Sequence, residues 1–184
     1  MKYENLKQIL NNFLGKEEHW LAHDEYSRMR SYSWRTVNFY HHVELPLKDD
    51  LKSFKQLSKD IEKTIKKIEK KKDSQELTEL KEELIKQSES FKNNIEMLKN
   101  IIKYTYKDLK TDLTTQKEHT LLEEKVKNNF EDYFNLYQKS TIQGVELNDI
   151  NQRVENAIEQ LEDKSLMSYL KTKVSSKKSK HKIS

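Results

Sequence analysis

The chain has 184 residues, of which 36% are charged and 34% hydrophobic, and its formal net charge is +4. It contains no cysteine, which excludes disulfides, thiolate metal sites and a cysteine nucleophile. Its two glycines, Gly15 and Gly144, stand far apart, so neither a phosphate-binding loop nor a dinucleotide-binding fingerprint can form. With a single proline as well, this scarcity of turn residues predicts an all-α fold: an elongated helical bundle with a long antiparallel coiled-coil hairpin.

Changes in composition divide the chain into four predicted segments. Residues 1–45 form an N-terminal helical segment rich in aromatic residues, arginine and histidine, and residues 46–113 form the coiled-coil hairpin. Residues 114–174 form a C-terminal helical pair, followed by a basic mobile tail at residues 175–184. The first residues lack the continuous apolar core of a signal peptide, and no apolar run reaches the length of a membrane span. We therefore expect a cytoplasmic protein without membrane contact.

The N-terminal segment is predicted to contain two helices. A short amphipathic pattern at the start of the chain is expected to end or kink at Gly15. A second helix should follow over residues 16–42 and stop at Leu45-Pro46, because a residue before proline is disfavoured in the α region.

The hairpin is predicted from apolar residues that recur at steps of three and four. This alternation is typical of a packed left-handed seam. Asp73 and Glu76 have the spacing of a capping box that would open the second helix of the hairpin. The seam positions are Leu47, Leu51, Phe54, Ser58, Ile61, Ile65 and Ile68 in the first helix and Leu77, Leu80, Leu84, Phe91, Ile95, Leu98, Ile102 and Leu109 in the second.

Two further helices are predicted after the hairpin. Thr115 and Glu118 form another capping-box pattern, which places a break near residues 113–115. Gly144 is expected to separate the two helices. The apolar stripe of the last helix is expected to contain Leu147, Ile150, Val154, Ala157, Ile158, Leu161, Leu166 and Tyr169.

A candidate partner-binding surface lies within Glu17–His42. This stretch holds both tryptophans, four of the six histidines and three of the four arginines. Tryptophan, tyrosine and arginine dominate the energetics of many protein interfaces, and the same groups can stack bases and contact phosphates. Packing between helices is the alternative role for Tyr26 and Trp34. The residues on one helical face are His19, His23, Tyr26, Arg30, Trp34 and His41.

The spacing of His19 and His23 is also compatible with a metal site. The two residues are four apart, so their rings can share a helical face, and Glu18 or Asp24 could add an oxygen ligand. No second-helix Glu-x-x-His motif and no HExxH motif completes such a site. We therefore expect no metal and no cofactor.

Arg35, His41 and His42 together resemble the motif of HEPN-family ribonucleases. The resemblance covers eight of the 184 residues. In that family a helical dimer brings an arginine and a histidine together and cleaves RNA without a metal. The resemblance implies that Arg35 would stabilise phosphate charge and that His41 or His42 would act as acid or base. A HEPN-like endoribonuclease is therefore an alternative function.

The C-terminal region is strongly basic. From Lys164 to Ser184 there are seven lysines and no acidic residue, so the remaining 163 residues carry a net charge of −3. These lysines can contact phosphates of a nucleic acid or carboxylates of an acidic protein. The candidate nucleic-acid-binding residues are Lys173, Lys177, Lys178, Lys180 and Lys182.

The function predicted from these observations is a non-enzymatic interaction protein that binds a macromolecular partner, with a protein as the first choice. The composition, rich in lysine, asparagine and isoleucine, is typical of an AT-rich genome and favours a phage- or plasmid-borne inhibitor or accessory factor. A nucleic-acid-binding subunit of a larger complex is the other alternative to the ribonuclease. Homodimerisation through the helices is compatible with each of these functions.

Overall fold

A computed structural model describes residues 3–22, 32–71 and 74–180, with side chains placed for residues 4–13, 35–71, 74–115 and 117–173. These residues form helices and short connections, with no β-strand among them. The all-α prediction is therefore confirmed, and the chain is an elongated helical bundle built on an antiparallel hairpin. No described helix is both long enough and apolar enough to cross a membrane.

Helix α1 covers Tyr3–Ala22 and packs on the bundle through Leu6, Leu10 and Phe13, which are all buried. The helix runs through Gly15, so the predicted helix end at that residue is wrong. A glycine inside a helix lowers its stability by only about 1 kcal/mol relative to alanine, so a single glycine does not have to end a helix.

Helix α2 covers Tyr32–Phe39 and continues through a π-helical turn, Tyr40–Glu44, directly into helix α3, Leu45–Ile68. The predicted helix end at Leu45-Pro46 is therefore wrong. Proline inside an α-helix lacks one N–H donor, and its ring clashes with the carbonyl four residues earlier. In the π turn the N–H of Leu45 bonds to the carbonyl of Tyr40, five residues back. This wider turn lets the helix pass Pro46 without the clash.

The antiparallel hairpin consists of α3 and helix α4, Gln75–Asp108. All eight predicted seam positions from Leu77 to Leu109 are buried, and the seam of α3 is buried or half-buried throughout. Salt bridges join the two helices on the outside, from Lys92 Nζ to Glu62 Oε1 at 2.5 Å and from Lys81 Nζ to Glu69 Oε1 at 3.2 Å. Such exposed pairs contribute little, so the apolar seam holds the hairpin together.

A short connection joins α4 to helix α5, Gln116–Lys180, and the predicted break near residues 113–115 is confirmed. The N–H of Glu118 bonds to Thr115 Oγ1 at 3.2 Å, and the N–H of Thr115 bonds to Glu118 Oε2 at 2.9 Å. This reciprocal pair is the predicted capping box. The second predicted capping box involves Asp73, which lies outside the described residues.

Helix α5 is 65 residues long, about 98 Å at 1.5 Å per residue, and replaces the predicted helical pair. Gly144 does not end the helix. Its Cα position is buried against Leu57 of α3 and Phe91 of α4, where a Cβ atom would lie 3.4 Å from Leu57 Cδ2. Gly144 therefore sits at a close approach of three helices rather than at a turn.

The core forms two clusters along the bundle, and Phe54 contacts both. The first cluster joins α1, α2, the π turn and the adjacent ends of α3, α4 and α5 around Phe13, Phe39 and Phe130. The second lies between the remaining parts of α3, α4 and α5. Beside the hairpin turn, Lys71 pairs with Glu162 of α5. Beyond Glu162 the helix continues without burying any described side chain.

Candidate functional site

The structure places only part of the predicted partner surface. His23, Tyr26 and Arg30 lie outside the described residues. His19 and Trp34 belong to the helical backbone of α1 and α2, but their side chains lie outside the described set. Of the predicted face, His41 alone has a described side chain, and it is exposed on the π turn. The partner surface within Glu17–His42 therefore stays a prediction.

Arg35 has a structural environment that its sequence context did not indicate. Its side chain is fully buried, and its Nε donates to the carbonyl of Leu109 at 3.2 Å. Its Nη2 donates to the carbonyl of Thr111. Leu109 caps the C-terminal end of α4, where helical carbonyls lack intrahelical partners and carry partial negative charge, and Thr111 lies in the connection that follows. Arg35 thus joins α2 to the end of α4.

His41 and His42 lie in a different environment from Arg35. Both imidazoles are exposed, and the ring of His41 packs edge-on against Tyr40 with centroids 5.2 Å apart. A ribonuclease of the HEPN type needs its arginine and histidine in contact with the same phosphate. Here the guanidinium is withdrawn from solvent and bonded to backbone carbonyls, whereas the imidazoles face solvent.

The C-terminal lysines up to Lys180 lie on helix α5 rather than in an irregular tail. Helix α5 extends to Lys180, so residues 175–180 of the predicted mobile tail have helical backbone. Lys173 is exposed, with its Nζ 5.2 Å from the ring centroid of Tyr169. The side chains of Lys177, Lys178 and Lys180, and the whole of Lys182, lie outside the described set.

We define the arm as residues 163–180, the part of α5 that extends about 27 Å beyond Glu162, which pairs with Lys71 and makes the last hairpin contact among the described residues. Four large apolar side chains of the arm are exposed. Leu166 and Tyr169 were predicted to continue the buried stripe, and this prediction is wrong. The exposed fractions are 57% for Leu166, 58% for Met167, 59% for Tyr169 and 47% for Leu170.

The apolar face of the arm points away from the bundle side of the same helix. At about 100° per residue, the buried positions from Leu147 to Leu161 continue to Ser165 and Ser168, which are polar. Leu166 and Leu170 do not follow this phase. The apolar residues of the arm are centred roughly 150° around the helix axis from the buried positions. This change of phase after Leu161 is visible in the sequence, and it was the signal that could have identified the surface.

A buried polar cluster lies inside the first core. The hydroxyl of Tyr137 donates to Asp50 Oδ2, and the ring of Tyr133 stacks on Tyr137 with centroids 6.2 Å apart. The hydroxyl of Tyr133 is buried and has no hydrogen-bond partner among the described residues. Burial raises the pKa of both phenols, and the carboxylate of Asp50 raises each pKa further. Both tyrosines therefore stay neutral, and the cluster has no exposed reactive group.

Neither a metal cluster nor a known relative indicates a reaction. The described residues contain no group of three or more histidine, aspartate or glutamate side chains that could hold a metal ion. No protein-family model, curated protein or solved structure matches the chain. Among the described surfaces, the arm exposes four large apolar side chains within five consecutive residues.

Proposed function

We propose that this protein is a non-enzymatic helical adaptor that binds a protein partner through the arm. The single observation that carries the proposal is the exposed apolar face formed by Leu166, Met167, Tyr169 and Leu170. Adjacent apolar side chains on one face of a projecting helix are characteristic of helix-in-groove recognition. The bundle gives this helix a rigid base, which lowers the entropic cost of ordering it on binding.

The charge of the arm defines the chemistry of the partner. Between Lys164 and Lys180 there are six lysines and no acidic residue. Two arms brought side by side would therefore repel each other, which disfavours self-association through this face. The complementary partner is a protein with an apolar groove bordered by carboxylates.

The ribonuclease and nucleic-acid alternatives are less well supported. A catalytic role for Arg35 requires its guanidinium to reach a phosphate, and this group is buried against the carbonyls of Leu109 and Thr111. Nucleic-acid binding would use the lysines of the arm, but it gives no reason for the exposed leucines. A protein groove accounts for both the lysines and the apolar residues.

The test compares two double variants of the arm. L166S/L170S removes apolar area from the proposed contact face, and S165Q/S168Q changes the opposite face as the matched control. The partner is captured from the host extract with wild-type protein, identified by mass spectrometry, purified and titrated calorimetrically. We expect L166S/L170S to weaken binding by about 1–4 kcal/mol and S165Q/S168Q to leave it unchanged.

Three results would refute the proposal. One is equal affinity of the purified partner for wild type and L166S/L170S. Another is metal-independent RNA cleavage by the wild type that is lost in H41A or H42A, because this result would favour the enzyme. The third is binding of RNA with a steep salt dependence, unaffected by L166S/L170S, which would instead assign the arm to a nucleic acid.

A further inference from the structure

A cleft between α3 and α4, at the end of the bundle opposite the arm, has a composition suited to a small ligand. Its volume is about 480 Å³, within the range of about 300–1,000 Å³ found for small-molecule sites. Leu47, Leu51 and Ile102 form its floor. Tyr40 of the π turn stands at its edge and is 40% exposed.

The rim of the cleft is cationic. Four lysines line it, with Glu44 as the single carboxylate, so the lining has a formal charge of +3. Lys99 pairs with Glu96, whereas Lys48, Lys55 and Lys103 form no ion pair with any residue that the structure describes. The carboxylates of Glu96, near Lys55 and Lys103, and of Asp49, near Lys48, offset this positive charge in part. The repulsion that remains among four lysines from two helices would be reduced further by a bound anion.

We infer that this cleft binds a single-chain fatty acid, with the carboxylate at the lysine rim and the aliphatic chain on the leucine and isoleucine floor. Lys48 and Lys103, from opposite sides of the cleft, are the cations for the head group. The floor residues Leu47 and Leu51 span about 6 Å of α3, and the lining as a whole runs from Glu44 in the π turn to Lys55 in α3, about 17 Å of helix. The site uses none of the arm residues and is independent of the proposed adaptor function.

The geometry favours a fatty acid over a nucleic-acid strand. Bases bind single-strand sites by stacking on open aromatic faces, and here the floor is aliphatic. One face of the Tyr106 ring is covered by Lys110, whose Nζ lies 4.6 Å from the ring centroid. A lipid with two chains and a zwitterionic head would lack the net negative charge that the rim complements.

Calorimetric titration of the full chain with laurate, below its micellar concentration, tests the inference. We expect saturable binding of one laurate per chain. The triple variant K48Q/K55Q/K103Q should bind about tenfold more weakly or worse, because three rim charges are lost. The matched control, K70Q/K86Q/K139Q, removes three exposed lysines outside the cleft and should bind like the wild type. Dodecylammonium, with the same chain and opposite charge, should not bind.

The position of the ligand is checked by the methyl resonances of two buried isoleucines. Laurate should shift the resonance of Ile102 in the cleft floor and leave that of Ile158, in the second core cluster, unchanged. No saturable binding to the wild type, equal binding by K48Q/K55Q/K103Q, or equal binding of dodecylammonium would each overturn the inference. A shift at Ile158 without one at Ile102 would overturn it as well.

Discussion

Arg35 fits a catalytic motif in the sequence, but in the structure its side chain makes buried hydrogen bonds that stabilise the fold. A buried guanidinium has to find acceptors for its donors, and Arg35 finds carbonyls at the end of α4. The bond to Leu109 supplies a donor to a carbonyl that the end of α4 leaves without an intrahelical partner, and the bond to Thr111 fixes the connection that follows. Arginine next to histidines in a helix is compatible with either role, and only the three-dimensional neighbours of Arg35 distinguish them.

Replacing Arg35 by methionine should lower the free energy of unfolding by about 1–3 kcal/mol, since the carbonyls of Leu109 and Thr111 lose their donor. The variant R35K keeps the charge but cannot reproduce the forked geometry, so it should also be less stable than wild type. Denaturant unfolding followed by circular dichroism measures both, with H41A as the control at an exposed position. Wild-type stability in R35M would contradict this structural role.

Tyr133 and Tyr137 form a matched pair for a second prediction. Y137F removes the donor to the buried carboxylate of Asp50 and should destabilise the protein by about 1–3 kcal/mol. Y133F removes a buried hydroxyl that no described residue bonds, so stability should be unchanged or slightly higher. Thermal unfolding of the two variants at neutral pH provides the comparison. A larger loss in Y133F than in Y137F would show that the polar cluster is arranged differently.

At the scale of the element, the start of α5 depends on the ionised form of Glu118. Hydrogen bonds from the backbone and side chain of Thr114, and from the backbone of Thr115, lower the pKa of Glu118 from 4.5 to about 2. Because the folded pKa lies below the unfolded one, this contribution to stability is complete above about pH 4.5. It is lost as the pH falls through about 2.

The variant E118Q should therefore melt at a lower temperature than wild type at pH 7. The difference in melting temperature between the two proteins should decrease as the pH falls from 4.5 to 2. Melting curves of both proteins across this range provide the measurement. A difference that is constant with pH would mean that the charge of Glu118 does not stabilise the capping box.

Gly144 lies inside α5 at a point where the packing leaves space for a methyl group but little more. A Cβ atom would meet Leu57 Cδ2 at 3.4 Å and Phe91 Cε2 at 3.7 Å, both ordinary contacts. G144A should raise the free energy of unfolding by about 0.5–1 kcal/mol, because alanine favours the helix. G144L, which needs several more atoms in the same space, should lower it. Denaturant unfolding of both variants measures these changes in the free energy of unfolding. A G144A variant less stable than wild type would contradict the presence of space for a methyl group at this position.

The helical class, the hairpin seam and the break before α5 could be predicted from the sequence because each follows a local pattern. The continuity of the helices could not be predicted in this way. Gly15, Pro46 and Gly144 are helix breakers by local chemistry, yet all three lie inside continuous helical segments. Pro46 is accommodated by the π turn at Tyr40–Glu44, and Gly144 by close packing against α3 and α4. The exposure of the arm is a different case, because the apolar residues change helical phase after Leu161 and the sequence itself contains that signal.

At the scale of the whole molecule, the two ends of the bundle have different surfaces. One end presents the lysine-rimmed cleft between α3 and α4, and the other extends into the arm. Both surfaces combine apolar side chains with lysines, although residues 1–163 are net acidic. Basic charge is thus concentrated where apolar residues are accessible, which suits anionic ligands or partners at both ends.

Hydrogen–deuterium exchange of the purified complex tests the adaptor proposal most directly. We expect the backbone amides of residues 163–180 to exchange rapidly in the free protein and to become protected when the partner is added. The amides of the hairpin seam should stay protected in both states. Protection that develops only within Glu17–His42, with no change in the arm, would contradict the account and assign the partner surface to the N-terminal segment.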